Sequence, residues 1–246
     1  MKLQTPGQTD PIYWAVLGYA RWWLNIDAGL RQLVGDAGGK LTEGSLAAIA
    51  LQYNVARGLP GKDRPTEALA VLDVLNRSAV NWPTSISGRA QRCSEIVEKL
   101  QVEKLTDKNH VSGVTKYMWF LHPVGWTVFD RFAADGMGIP SGMTTLDRMK
   151  KFYAALDAAG FETAERQLQS LIDKSDWKSL PAGRVLDTLL MRRSSESGMR
   201  EGANSKAAIN GFLLALPPDA AKSLHDLATT AQQELGQDPL SISRGN

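Results

Sequence analysis

The stretch Asn109–Ile139, NHVSGVTKYMWFLHPVGWTVFDRFAADGMGI, decides how this chain reads. Ser112-Gly113 reads as a glycine turn, after which Lys116 enters a dense apolar run from Tyr117 to Leu121. Pro123 breaks that run and Gly125 loosens the backbone before Trp126, since proline lacks an amide donor and glycine tolerates positive φ. A second helix is predicted to open near Thr127, with Asp130 in its first turn. The pattern is helix, break, helix. One lysine and one carboxylate sit near the two helix starts, each beside enough aromatic surface to be partly shielded from water.

The flanking sequence repeats the helical signature. Asp10 and Pro11 form a start signal for a helix to Val34, dense in aromatics at Tyr13, Trp14, Tyr19, Trp22 and Trp23. Further helices are predicted over Ser45–Ala56, Thr66–Arg77 (capped by Thr66) and Gly88–Gln101, the last opening on Arg89 and Arg92. That cationic start is disfavoured by the helix dipole and hints at an external anion. Thr144 to Asp147 resembles a capping box for a helix ending at Gly160. Glu162–Lys174 and Ala182–Arg193 follow, then a polar loop from Arg192 to Lys206 and helical sequence over Ala207–Leu235 broken by Pro217-Pro218. No period-two alternation persists long enough for a strand. The expectation is an all-α fold of about ten helices, one domain over 1–235, with 236–246 a disordered tail.

At 246 residues and 43% apolar composition the chain has ample material for a core. Its 28 basic and 26 acidic side chains give a net charge of +2, compatible with a nucleic-acid partner without demanding one. Cys93 is the single cysteine, which excludes an internal disulfide and reads as a small buried hydrophobe. The first residues, MKLQTPGQTD, lack the apolar core of a signal peptide, and no run approaches the length of a membrane span, so a cytoplasmic, membrane-free protein is expected.

Familiar chemistry is quickly eliminated. Neither a phosphate-cradling GxxxxGK[ST] nor a GxGxxG occurs, nor a GxSxG elbow, and His110, His122 and His225 lack metal-ligand spacing. No metal is expected. Lys116 and Asp130 remain. A lysine is a nucleophile only when deprotonated, which burial beside Tyr117, Trp119 and Phe120 would favour. A carboxylate at a helix start is favoured as an anion and can stabilise a developing cation. Plainer readings stand beside these: Lys116 as a solvated side chain snorkelling from an apolar helix, and Asp130 as the capping partner of Thr127.

SGVTKYMWFL followed by TVFDRFAADGMG resembles the helix-hairpin-helix DNA glycosylase superfamily, especially its 8-oxoguanine-type members. There a glycine-containing hairpin, typically LPGVG, leads into a helix bearing a lysine. An aspartate in a motif like VDxHVxR then opens the next helix. Thr115-Lys116 matches the lysine position and Phe129-Asp130-Arg131-Phe132 the aspartate position. Gly113 stands alone where the family has two glycines, and the lysine-to-aspartate interval is 14 residues (130 − 116), short for the family. The iron–sulfur cysteines of some relatives are absent, as in the 8-oxoguanine branch.

The resemblance implies two helical lobes around a cleft near 109–139, and a monomer acting on DNA without a cofactor. Ser112, Gly113 and Thr115 would meet the DNA backbone, and Trp22, Trp23 and Trp119 are candidates for lining a base pocket. Lys116 would attack C1′ to give a Schiff base, Asp130 would support departure of the base, and strand cleavage would be able to follow. The substrate would be an oxidised purine or a bulky modified base, in the latter case with a role in antiviral defence. A non-catalytic DNA-binding hairpin protein and a helical protein-interaction domain are the alternatives.

Overall fold

Twelve α-helical segments and no strand are present among the described residues of the computed structural model, which cover 11–60, 64–196, 206–236 and 239–240. α1 (Pro11–Trp22) runs through a π-helical turn, Trp23–Asp27, directly into α2 (Ala28–Asp36). The helix expected from Pro11 is therefore one rod with a widened turn. Such turns insert a residue into the hydrogen-bond ladder and re-aim side chains, frequently at functional sites. Here Asp27 is fully buried.

α3 (Glu43–Gln52) starts at a reciprocal box between Thr42 and Ser45. α4 (Pro65–Ser78) starts with Pro65 in its first position, so the predicted cap Thr66 lies inside the helix. α5 (Ile86–Val102) is capped by Ser85, whose side chain accepts from the Gly88 amide at 3.2 Å. α6 (Val111–Leu121) and the short α7 (Arg131–Gly136) carry Lys116 and the Asp130 cap respectively. α8 (Thr145–Ala158), capped by Thr144, and α9 (Phe161–Asp173) follow as expected. α10 (Ala182–Glu196) extends three residues beyond the predicted end at Arg193, and α11 (Lys206–Ala215) and α12 (Pro218–Leu235) flank the expected proline break. Asp10, most of the predicted polar loop and most of the predicted tail lie outside the described residues, but Leu240 is buried, and the Arg193 guanidinium donates to its carbonyl at 3.4 Å. Leu240 thus contributes to the core.

Two further readings are corrected. Ser112 and Gly113 form no turn; they lie in the first turn of α6. Gly113 is needed because the His110 ring lies against it: a Cβ there would come within 2.0 Å of His110 Nε2. Arg89 awaits no external anion. Its buried guanidinium donates to the carbonyls of Pro83 at 2.8 Å and Val124 at 2.6 Å, tying the start of α5 to the loop after α6.

α1, α7, α9, α10 and α12 pack on one another, and α3 to α6 form a second set with α5 seated on α8. α6 and α7 therefore belong to different sets, and the extended segment 122–130 joins them. No helix among the described residues is long and apolar enough to cross a membrane.

α7 is pressed onto α10 so closely that a Cβ on Gly136 would sit 2.0 Å from the Leu190 carbonyl oxygen. Backbone cannot give way as a flexible side chain can. Gly136→Ala is expected to lower unfolding stability by about 1–3 kcal/mol in urea titration. Gly29→Ala, on an open face of α2 with nothing within 4 Å, serves as the control and is expected to stabilise by up to about 1 kcal/mol.

Candidate active site

α6 is apolar on almost every face and buried from Val111 to Phe120 apart from Ser112, so Lys116 has no path for its stem to reach water. The side chain folds back over the preceding turn. Its Nζ donates to Ser112 Oγ at 2.7 Å and to the Phe129 carbonyl at 3.3 Å, and stands 3.6 Å from Asp130 Oδ2. Ser112 Oγ in turn donates a hydrogen bond to the Phe129 carbonyl at 3.3 Å. The snorkelling reading of Lys116 is thereby excluded: its side chain is 3% exposed. Burial pushes the amine down from the ordinary lysine range, Asp130 pulls it back, and Arg184 adds to the lowering.

Asp130 is built differently. It is the N-cap of α7 with extended backbone (φ −134°, ψ 149°), and Oδ1 accepts from the Phe132 amide at 2.8 Å. The capping partner is thus Phe132 and not Thr127, whose residue precedes the helix. One oxygen holds the helix; the other faces Lys116. At 27% exposure the carboxylate still reaches solvent, so the pair has one concealed member and one accessible member.

The separation is fixed by the segment between the two helices. Thr115 Oγ1 accepts from the Phe129 amide at 3.2 Å and donates to the Ser112 carbonyl at 3.2 Å, while Tyr153 Oη donates to the Thr127 carbonyl at 2.8 Å. Thr115 and Gly113 are consequently interior scaffold, walled off from any phosphate. Of the three residues expected to touch DNA, only Ser112 is partly exposed, and its hydroxyl serves Lys116.

Behind the pair lies a polar cluster the sequence did not signal. Asp27, aimed inward by the π turn, accepts from Tyr19 Oη at 2.9 Å, Tyr53 Oη at 2.7 Å and Trp22 Nε1 at 3.1 Å. Arg184, from α10, donates to Tyr53 Oη at 3.2 Å and pairs closely with Asp187 one turn along. Burial raises the carboxyls of both acids, that of Asp187 to about 6. Trp119 and Trp23 are buried, Trp119 against Arg184, which removes both from the wall of an open pocket. Trp22 is partly exposed, edge-on to the partly exposed Tyr53 ring at 6.1 Å, and Tyr53 carries the Lys116 ammonium over its face at 5.6 Å.

Tyr53 is therefore the partly exposed ring that covers Lys116, with Trp22 against its edge. The only available signal for Asp27 was the aromatic density of α1, because a π turn cannot be read from apolar spacing. Arg184 and Asp187, three apart on a helix, look like a surface ion pair in sequence.

Cys93 is buried and its thiol is pushed above its ordinary range by desolvation, as expected of a structural residue. Among the described residues no group of three His, Cys, Asp or Glu side chains is placed to hold a metal ion. Chemically, the arrangement offers an amine with a weakened hold on its proton beside an anchored carboxylate that reaches solvent. Comparison of the chain with protein-family models, with curated proteins and with solved structures finds no match in any of the three.

Proposed function

We propose that the protein is a DNA glycosylase with associated lyase chemistry, acting from a cleft between the α6 and α7 helix sets. The observation that carries this reading is the Lys116–Asp130 pair: a buried amine 3.6 Å from a carboxylate whose other oxygen is committed to capping α7. The neutral amine attacks C1′ of an extruded nucleotide. The glycosidic bond breaks as the carbon–nitrogen bond forms, and its electron pair leaves with the base, which takes up a proton. Asp130 stabilises the positive charge that develops on the sugar. Ring opening then gives an imine, from which β-elimination cleaves the strand.

Extrusion costs a few kcal/mol of stacking, offset by contacts in the site. Trp22 and Tyr53 supply the surface on which a planar base rests. Lys104 and Lys108, in the chain just before α6, and Arg131, the first residue of α7, are exposed cations and take the role of phosphate contacts. The substrate is an oxidised purine or a bulky modified base; a modified viral base would make the activity defensive.

The test is borohydride trapping with duplexes carrying oxidised, deaminated, hypermodified and abasic sites. A covalent adduct with at least one of these supports the reading and identifies the class of base. Absence of both adduct and released base across the panel, with the protein folded, overturns it.

A further inference from the structure

The Arg184–Asp187–Asp27 cluster is unused by the mechanism above, and burying it is costly. Ions removed from water are penalised by several kcal/mol each unless fully compensated. Compensation here is incomplete: Asp187 Oδ1 and Arg184 Nε have no hydrogen-bond partner, although both side chains are almost completely buried. Such groups seldom persist without a role beyond stability.

The geometry indicates which role. Arg184 is enclosed by three rings, its Cζ lying 5.5 Å from the Tyr19 centroid, 5.8 Å from Tyr53 and 5.4 Å from Trp119. The Tyr53 ring therefore carries two cations, Arg184 and, at 5.6 Å, Lys116. Both side chains are buried, so each disfavours the other's charge more strongly than it would in solvent.

We propose that the Arg184–Asp187 pair controls the protonation of Lys116: Arg184 expels the proton across the Tyr53 ring, and Asp187, while ionised, offsets that expulsion. This rests on the reading of Lys116 as a nucleophile, and makes Arg184 and Asp187 positioning residues that act through it. The groups facing Lys116 are Asp130 at the start of α7, Arg184 and Asp187 on α10, and His110 before α6, with Tyr53 beneath the ammonium. Asp187 is faced by Arg184 on its own helix, by Lys116, Asp130 and Asp27, and by Tyr153 of α8.

The signs follow. Above about pH 6 Asp187 is anionic and favours the ammonium; below it Asp187 is protonated and no longer offsets Arg184, leaving Asp130 to do so. The free amine therefore persists to lower pH than it would beside a fixed anion, and its fraction rises less than tenfold per pH unit just above pH 6.

The experiment is a titration of the Lys116 Cε resonance by NMR in protein carrying carbon-13 lysine, assigned by its loss in Lys116→Met. Asp187→Asn is expected to move the midpoint down, and Arg184→Gln to move it up. A neighbouring charge of this kind shifts a titration by about one unit or more, roughly a tenfold change in free amine at fixed pH. Borohydride trapping on abasic duplex follows in the same sense above about pH 6, faster for Asp187→Asn and slower for Arg184→Gln, and below it Asp187→Asn converges with wild type.

Midpoints that stay in place, or move in the same direction, overturn the proposal. Should Arg184→Gln fail to fold, the fall in Asp187→Asn and the shallow rise in wild-type free amine still decide it. Because the titration needs no DNA, opposite shifts without any trapped adduct would sustain the control of Lys116 and sink only the glycosylase reading.

Discussion

Replacing Lys116 with glutamine is expected to abolish covalent capture of DNA, and with it strand cleavage, by at least about 10³-fold, the scale on which a removed nucleophile acts. The result is informative because stability should move the other way in a companion variant. The folded protein holds the Lys116 amine below the ordinary lysine range, chiefly by desolvation. A base whose pKa is depressed on folding carries a penalty that sets in as pH falls below the unfolded lysine value, near 10.4, and is complete below the folded value.

At neutral pH, well below the unfolded lysine value, that penalty has set in. Lys116→Met removes it while retaining the buried volume. Asp130, left without its cation, is not stranded: it stays partly exposed and keeps its bond to the Phe132 amide. Lys116→Met is therefore expected to raise stability by about 1 kcal/mol in urea titration at pH 7 while losing capture entirely. A large fall in stability would instead identify Lys116 as a structural ion-pair residue. Persistent capture in Lys116→Gln would assign the nucleophile to another amine.

The sequence was most legible where local chemistry decides local structure. Thr144, Pro218 and the Gly160 stop mark their helices because capping, fixed φ and the left-handed turn are properties of a few adjacent residues. Lys116 and Asp130 were legible because a cation inside an apolar helix and an acid at a helix start each conflict with, or serve, their immediate surroundings. Gly113 was misread for the opposite reason. It looks like hinge punctuation, yet its lack of a side chain answers to the His110 ring packed against it.

Arg89 misled in the same way, its partners being carbonyls before its own helix and 35 residues further along the chain. The inner cluster was the least accessible of all. Asp27 depends on a π turn, Tyr53 on the end of a helix, and Arg184 and Asp187 on a helix more than 60 residues beyond Lys116. Three distant elements converge there, and no local pattern encodes that convergence.

Asp130→Asn separates two roles that any single activity measurement would merge. Asparagine is as good an N-cap as aspartate, so α7 and its seat on α10 should survive, whereas Asp130→Ala should lose a further ~1 kcal/mol of stability. The same change removes the charge that holds the Lys116 proton in place, so the amine becomes freer. If nucleophile activation limited the reaction, Asp130→Asn would be faster at low pH.

The proposed function argues otherwise for base-containing DNA, where Asp130, whose side chain still reaches solvent, would stabilise the developing sugar cation. Removing one charge aimed at a transition state typically costs about 10²–10³ in rate, so excision of an intact modified base should fall by that factor. Abasic duplex needs no glycosidic cleavage, only attack by the amine on an aldehyde, and capture on it should stay within about tenfold of wild type. An equal loss on both substrates would place Asp130 in the positioning of Lys116 alone. An equal retention on both would leave it a helix cap with no part in catalysis.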